Sequence, residues 1–454
     1  MREELDPRAA WALIGVLFAI VAITLPELSS DPWHFRPGPI EGSGPLGPLV
    51  RAAGNKWDLG ITRAPCFLAG LLCGAAAMLL IYRPRAWSKR FAVIFVLAVA
   101  LLLTAPATLL QLGLRDSTAP WFFTNDSTYQ IEQGGDLLLH LDNPYGHDYR
   151  HSGLERFYTR DGSESEKVRE REVALRHFAY FPGTVYVAAV WRLLPNPFDD
   201  YRLLMLICNL LMVPAALAFR GPLSARLVLG AALACNPILV RSAWFGQNDA
   251  PSLLLLVLAF ALVSRRRFGW AAASLAAAIL LKQFALVAAP FLGLMIWKLE
   301  SDREALKRAG YVFAGVLAVG ILPFLIADPV AFYKDTIKYG AGTYRIVGYG
   351  LSAILVRTDI VADRKAAYPF GLITLLTWVP LTLWLLRAQW RAPEIWLGAA
   401  GFAISILWLM FIGRTFNNYY LVWPMTGAVI AALLACAPSS APPAPPARTP
   451  SPAP

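Results

Sequence analysis

Asn125 to Tyr145 reads NDSTYQIEQGGDLLLHLDNPY, a polar stretch with four acids, Asp126, Glu132, Asp136 and Asp142, in an otherwise largely apolar chain. Asp126 follows Trp121, Phe122 and Phe123, aromatic residues of the kind that settle at a membrane–water boundary. A carboxylate partly desolvated there becomes a usable general base for a hydroxyl group. The same Asn-Asp-Ser triplet also suits the start of a helix, where such residues cap the first turn. Other polar residues fall at the ends of apolar runs. Gly246-Gln247-Asn248-Asp249 stands between Trp244-Phe245 and a leucine run, and its side chains either bond sugar hydroxyls or cap helix ends. Lys282 in LLKQF and Arg414 in GRTFNNYY each suit a lipid phosphate or else snorkel to the interface. Asp142-Asn143-Pro144-Tyr145-Gly146 has turn chemistry, and either aims Tyr145 at a ligand or is only a turn. His140, His147 and His151 lie close together, but Gly146 and Gly153 oppose the helix that would bring His147 and His151 onto one metal ion. They read as solvated loop histidines.

The elements that must carry these residues are set by composition. Of 454 residues, 57% are hydrophobic and 16% charged, against about 25% charged in soluble domains. The chain is therefore expected to be an all-α, polytopic membrane protein, governed by bilayer rules. Its net charge of +11 sits in short clusters beside apolar runs, which fits cytoplasmic loops near anionic lipid and speaks against a nucleic-acid partner. Cys66, Cys73, Cys208, Cys235 and Cys436 all fall in apolar segments and read as small core residues. The first apolar run lacks a cleavage site and reads as a retained helix. Asn125-Asp126-Ser127 has the form of a glycosylation sequon, a triplet common by chance and given no weight.

Twelve spans are expected, at about 11–28, 65–82, 91–112, 201–219, 223–243, 250–264, 268–281, 283–297, 309–327, 369–386, 394–412 and 419–436. The basic run Arg83 to Arg90 marks its loop as cytoplasmic, so Asp126 falls on the opposite side. Phe181 to Pro195 is short for a crossing of roughly twenty residues. Were it to cross, Arg220 and Arg226 could not share a side with Arg265, Arg266 and Arg267. It is read as an interfacial helix. The main outer loops then run from about 113 to 200 and 328 to 368, both termini are cytoplasmic, and residues 1–436 form a single domain. Residues 437–454 are a Pro/Ala-rich tail expected to be disordered. There is no convincing internal repeat of the kind that builds many transporters, and no P-loop or dinucleotide motif in a credible context.

The order of these features resembles the GT-C superfamily of integral-membrane glycosyltransferases. Within it, the chain looks most like bacterial, largely actinobacterial, mannosyltransferases that use polyprenyl-phosphate sugars. The resemblance rests on Asp126 and Tyr129, on Gly135 to Asn143-Pro144-Tyr145, and on Tyr180-Phe181-Pro182. It continues through Gly246-Gln247-Asn248-Asp249 and Lys282 to Asn418-Tyr419-Tyr420. The first two spans and the insert Tyr149 to Arg176 are not typical of that group. The resemblance implies a GT-C-like bundle in the plasma (inner) membrane with an extracytoplasmic active site. Its donor would be a polyprenyl-phosphate-linked sugar, mannose or arabinose, and its acceptor a glycolipid or polysaccharide of the cell envelope. Asp126 would act as base, and the configuration at the anomeric carbon would invert. Tyr129, Asn143, Tyr145, Tyr180, Gln247, Asn248, Asp249, Asn418 and Tyr419 would line the substrates, with Lys282 or Arg414 meeting the lipid phosphate. No cofactor is implied, and dependence on a divalent metal is left open. A flippase for a lipid-linked sugar, or a non-catalytic assembly factor, would share the basic helix ends but need no base at Asp126.

Overall fold

Each of the twelve apolar segments is helical in the computed structural model, which describes residues 3–28, 38, 40–53, 60–158, 174–343, 345–392 and 394–436. The tail at 437–454 and most of the 149–176 insert lie outside the described residues. Asp6 caps the first helix, α1 (Pro7–Glu27), through Arg8 N and Ala9 N, with proline at the first helical position, where its missing N–H is no loss. A short α2 (Gly47–Ala52), α3 (Arg63–Tyr82) and α4 (Lys89–Asp116) follow. After the polar stretch, α5 (Asp126–Leu139) and α6 (Pro182–Trp191) lead to α7 (Tyr201–Leu217). The expected span at 223–243 is interrupted, giving α8 (Leu223–Ala234) and α9 (Pro237–Phe245). Pro237 cannot donate to the helix ladder, and the Asn236 side chain caps a new start at Ile238 N, 2.9 Å away.

The second half contains α10 (Ala250–Ser264), α11 (Phe268–Leu281), α12 (Ala289–Leu299), α13 (Arg303–Ala327) and a one-turn α14 (Pro329–Tyr333). It closes with α15 (Leu351–Arg357), α16 (Phe370–Ile373), α17 (Val379–Arg391), α18 (Trp396–Ile412) and α19 (Val422–Cys436). Among the described residues, seven helical segments are long and apolar enough to cross a bilayer: Pro7–Glu27, Gly60–Tyr82, Lys89–Asp116, Leu223–Phe245, Arg303–Ala327, Phe370–Arg391 and Asn418–Cys436. Five apolar segments are shorter, at Tyr201–Leu217, Ala250–Ser264, Phe268–Leu281, Gln283–Leu299 and Trp396–Ile412. Helices α10 and α11 are apolar all round because they are central. They are tied by Ser252 Oγ to Ala278 O and Ser274 Oγ to Leu255 O, both 2.7 Å. By contrast α13 buries only Ala309, Gly320 and Phe324.

The fold departs from pure helix at two small strand pairs among the described residues. Strand β1 (Glu4–Leu5) pairs antiparallel with β2 (Trp87–Ser88), and β3 (Val347–Gly348) pairs parallel with β4 (Thr415–Phe416). Four cysteines are buried as expected. Cys436 is exposed, because it is the last residue of α19 and lies at the margin of the bundle.

A chain of contacts collects the basic loops at one end of the bundle. Glu3 bonds Lys89 Nζ at 2.8 Å and Arg226 at 2.6 Å. Arg226 reaches Leu217 O, Arg265 reaches Phe219 O, Arg266 reaches Leu299 O, and Lys298 reaches Gln389 O and Ala392 O. Helix α6 is bonded to α5 near both of its ends. Its first residues follow an extended segment held by α5, through Gln130 Nε2 to His177 O at 2.7 Å. Its last turn bonds the C-terminal half of α5 through Arg192 to Asp136 and the start of α7 through Trp191 Nε1 to Asp200 O.

Candidate active site

The first turn of α5 is built by Asn125, whose Oδ1 accepts from Thr128 N at 3.0 Å and from Ser127 Oγ at 2.9 Å. Asn125 is the cap, and Asp126 stands beside it as the first helical residue. Ser127 and Thr128 both donate to Gly246 O, at 3.0 and 2.6 Å, and so bring Asp126 to the Gly246–Asp249 loop. Gly246 ends α9 at φ +102, and an added Cβ would lie 2.5 Å from Thr128 Oγ1. That backbone conformation is hard for any residue with a Cβ. Gly246→Ala is expected to destabilise the protein by roughly 1–3 kcal/mol. A lowered melting temperature in detergent would register it; an unchanged one would mean that the α5–Gly246 contact is loose.

Behind this contact is a buried ionic scaffold. Arg115 at the end of α4 bonds Glu132 at 2.6 Å and Asp200 at 2.7 Å. Asp200 is shared with the fully buried Arg202, at 2.7 Å. Arg202 also donates to Phe123 O and to Trp244 O, the backbone just before Asp126 and just before Gly246. Glu132 further accepts from Tyr201 N at 2.9 Å. These four charged side chains fix the two loops relative to α4, α5 and α7. Little in the sequence singles out Arg115, Asp200 or Arg202; the one signal is an arginine, Arg202, at the head of an apolar run.

The Tyr180 side chain hydrogen-bonds that of Ser127, the residue after Asp126. Burial, and then the Asp126 carboxylate, push its phenol well above the ordinary tyrosine range, so it remains a neutral hydrogen-bonding group. Its electrostatic neighbours include Tyr339 and Tyr420, which leads to the second half of the site. Lys282, extended after the last residue of α11, bonds Asp249 Oδ1 at 2.6 Å and Asn248 Oδ1 at 3.1 Å. Asp249 also accepts from Trp423 Nε1 at 2.7 Å. The ammonium lies 5.5 Å from the Phe284 ring centroid and 5.8 Å from that of Tyr420, within cation–π range. Tyr419 packs on Tyr420 at 4.6 Å and its hydroxyl accepts from Asn417 at 3.2 Å. Asn248 Nδ2 and Asp249 Oδ2 are buried without a hydrogen-bond partner among the described residues, in a protein where such groups are normally satisfied.

The remaining residues named from the sequence divide by what holds them. Tyr129 donates to Ser152 O at 2.8 Å, and Tyr145 to Tyr180 O at 2.8 Å, with its ring set among Phe178, Phe324 and Phe332. Asn143 accepts from Tyr145 N at 3.1 Å. The tyrosine hydroxyls and the Asn143 amide oxygen are thus engaged with backbone, which fixes the loop's shape. Gln247 Oε1 accepts from Ser242 Oγ at 2.9 Å. Arg414 is turned to the second loop, donating to Ala366 O, and Asn418 opens the turn that leads into α19. His140 closes the end of α5 on Asp136 O, and His147 packs against Tyr149. Among the described residues, no three His, Cys, Asp or Glu side chains converge as metal ligands.

Asp335, in the second loop, is a further residue without a motif to mark it. Its carboxylate, 2% exposed, lies 2.6 Å from His177 Nδ1 and accepts from Gly146 N at 2.8 Å and Phe178 N at 3.2 Å. Tyr339 stacks on His177 at 4.8 Å. One acid therefore pins the second loop to both segments that frame Tyr180. Asp335→Ala leaves the buried Phe178 N–H unpaired at about 1–3 kcal/mol and releases the exposed Gly146 N–H. The expected result is faster proteolysis within 328–368; a cleavage rate equal to wild type would count against the clasp.

A helical bundle with several bilayer-length apolar helices, gathering an acid, phenols and a buried ion pair at the pole away from its basic loops, is a membrane protein with an enzyme-like site. The chain matches the model of glycosyltransferase family 87 over residues 178–413, more than half its length, and it belongs to that family. The matched region contains Tyr180, Gln247, Asn248, Asp249 and Lys282. Asp126 lies before it and Arg414 to Tyr419 after it. No curated protein and no solved structure matches the chain.

Proposed function

We propose that this glycosyltransferase moves a sugar from a polyprenyl-phosphate donor to a glycolipid or polysaccharide acceptor of the cell envelope, with Asp126 as general base. The observation that carries the reading is the meeting of Asp126 and Tyr180 with the Lys282–Asp249 pair around the Gly246 loop. Asp126 takes the proton of the acceptor hydroxyl, whose oxygen attacks the anomeric carbon. The bond from that carbon to the phosphate oxygen breaks, and the lipid phosphate leaves with the electron pair and one more negative charge. Lys282, already paired with Asp249, has a third N–H to offer that growing charge; Arg414 is the second choice. Asn248 Nδ2, buried and unpartnered among the described residues, is suited to donating to the oxygen of a sugar hydroxyl. Tyr180, Tyr419 and Asn418 complete the walls. Mannose is the favoured sugar, on the resemblance to mannosyltransferases described above.

The seven long and five short apolar segments are read as twelve crossings, with the basic pole and both termini cytoplasmic and the Asp126 pole extracytoplasmic, in the plasma membrane. The positive-inside rule supports this orientation. Helix α6 is read as interfacial, supported by Leu141, Val190 and Leu193, which are 92%, 68% and 70% exposed beside it and suited to the acyl boundary. A membrane assay with radiolabelled polyprenyl-phosphate-mannose, followed by separation of labelled acceptor from donor, tests the reaction. Label transfer with release of lipid phosphate is expected. Movement of intact labelled donor across the membrane, without release, would replace the transferase reading with that of a flippase.

A further inference from the structure

A cavity of about 540 Å3 opens along α5. Tyr129, Glu132, Gln133 and Asp136 form its α5 wall, at i, i+3, i+4 and i+7, which is one helical stripe. Gln130 and Gly134, by contrast, meet the 177–180 segment, through His177 O and the Phe178 ring. The stripe begins one turn of α5 past Asp126. Facing it are the ends of α4 and α6 and the loop before α7, including Asp116, Thr118, Arg192 and Asp199.

The volume falls within the ~300–1,000 Å3 of small-molecule sites, and the lining chemistry narrows the ligand. Five carboxylates line the cavity against two arginines, Arg115 and Arg192. A phosphate would meet net negative charge there and be repelled, so this is not where the donor's phosphate sits. A metal ion is equally unsupported, since Glu132 and Asp200 are taken by Arg115, and Asp136 and Asp199 by Arg192. What remains is a neutral ligand rich in hydroxyls: a salt-bridged carboxylate keeps lone pairs that accept from a hydroxyl, and the Gln133 and Asn196 amides, bonded to Ser152 and Asp116, each keep a second N–H to donate. The Tyr129 ring adds an apolar face. The salt bridges make the walls rigid, and a preformed wall lowers the ordering cost of binding.

We propose that this cavity is a saccharide subsite that holds the acceptor glycan beyond its reacting residue. The proposal rests on the transferase reading and assigns the substrate class of a separate cavity. Its test uses full-length protein in detergent and saturation-transfer NMR with a panel of neutral methyl glycosides, with inorganic phosphate as the contrasting probe. A glycoside signal without a phosphate signal is expected, and it should persist in Asp126→Asn, which separates this site from the chemistry. Thr118→Phe fills the cavity and Asp116→Ala removes a rim acceptor; melting temperatures establish that each is folded. Both should weaken glycoside binding at least tenfold. In turnover they should raise the acceptor KM by the same factor, with kcat within twofold and the donor KM unchanged. Absence of any glycoside signal in wild type, or binding that survives Thr118→Phe, overturns the proposal. A rise in donor KM instead would assign the cavity to the donor sugar and overturn it as well.

Discussion

Asp126→Asn is expected to lower kcat by a hundredfold or more at matched expression, the scale of a general-base contribution. The substitution keeps the shape of the side chain and leaves Asn125, Ser127 and Thr128 to hold α5 on Gly246 O. Melting temperature and donor KM should therefore stay near wild type, while the chemical step alone slows. The measurement is label transfer from polyprenyl-phosphate-mannose under saturating donor. Full turnover by the variant would remove Asp126 from the base role, whatever the family. A parallel loss of stability would instead mean that the carboxylate is part of the framework.

The second large effect is expected at the buried ion pair. Lys282→Met leaves Asp249, which is 0% exposed, charged without its partner, and breaking one side of such a pair costs about 3–5 kcal/mol. The double variant Lys282→Met/Asp249→Asn removes both charges, while the amide oxygen introduced by Asp249→Asn can still accept from Trp423 Nε1. It should regain most of the lost thermal stability. If Lys282 also meets the leaving phosphate, the double variant stays folded and nearly inactive. If the pair is only structural, stability and turnover return together. The two readouts separate the roles cleanly because stability depends on the pair and transition-state stabilisation on the ammonium alone.

Much of this protein is legible in the sequence because bilayer constraints act locally. An apolar run must be helical to satisfy its own backbone, and the twelve runs are helical. Lys282 reads as the end of a short helix, and it stands as the first residue after α11. Segment Phe181 to Pro195 reads as short, and α6 has ten residues and is bonded to α5 near both of its ends. Break points are harder. Asn236-Pro237 interrupts a run whose hydropathy stays high, since proline acts through hydrogen bonding and sterics, not polarity.

For the candidate site, the sequence determined residue types at helix ends: an acid after an aromatic group, an amide-rich loop before a leucine run, a lone lysine, and a late pair of tyrosines. Which of them meet was decided by tertiary structure. Tyr129 and Tyr145 look equivalent to Tyr180 as sequence, yet backbone carbonyls take the first two hydroxyls, while Tyr180 bonds the Ser127 side chain and feels the Asp126 carboxylate. Asp335 is far from Asp126 along the chain and carries no local signature, but it clasps Gly146, His177 and Phe178. Arg115, Asp200 and Arg202 likewise become a scaffold only when α4, the α7 start and the last turn of α9 converge. The physical reason is the range of the forces. Hydrogen-bonded helix formation is set within a few residues, whereas charge pairing and hydroxyl satisfaction depend on whichever partner the packed bundle brings within about 3 Å.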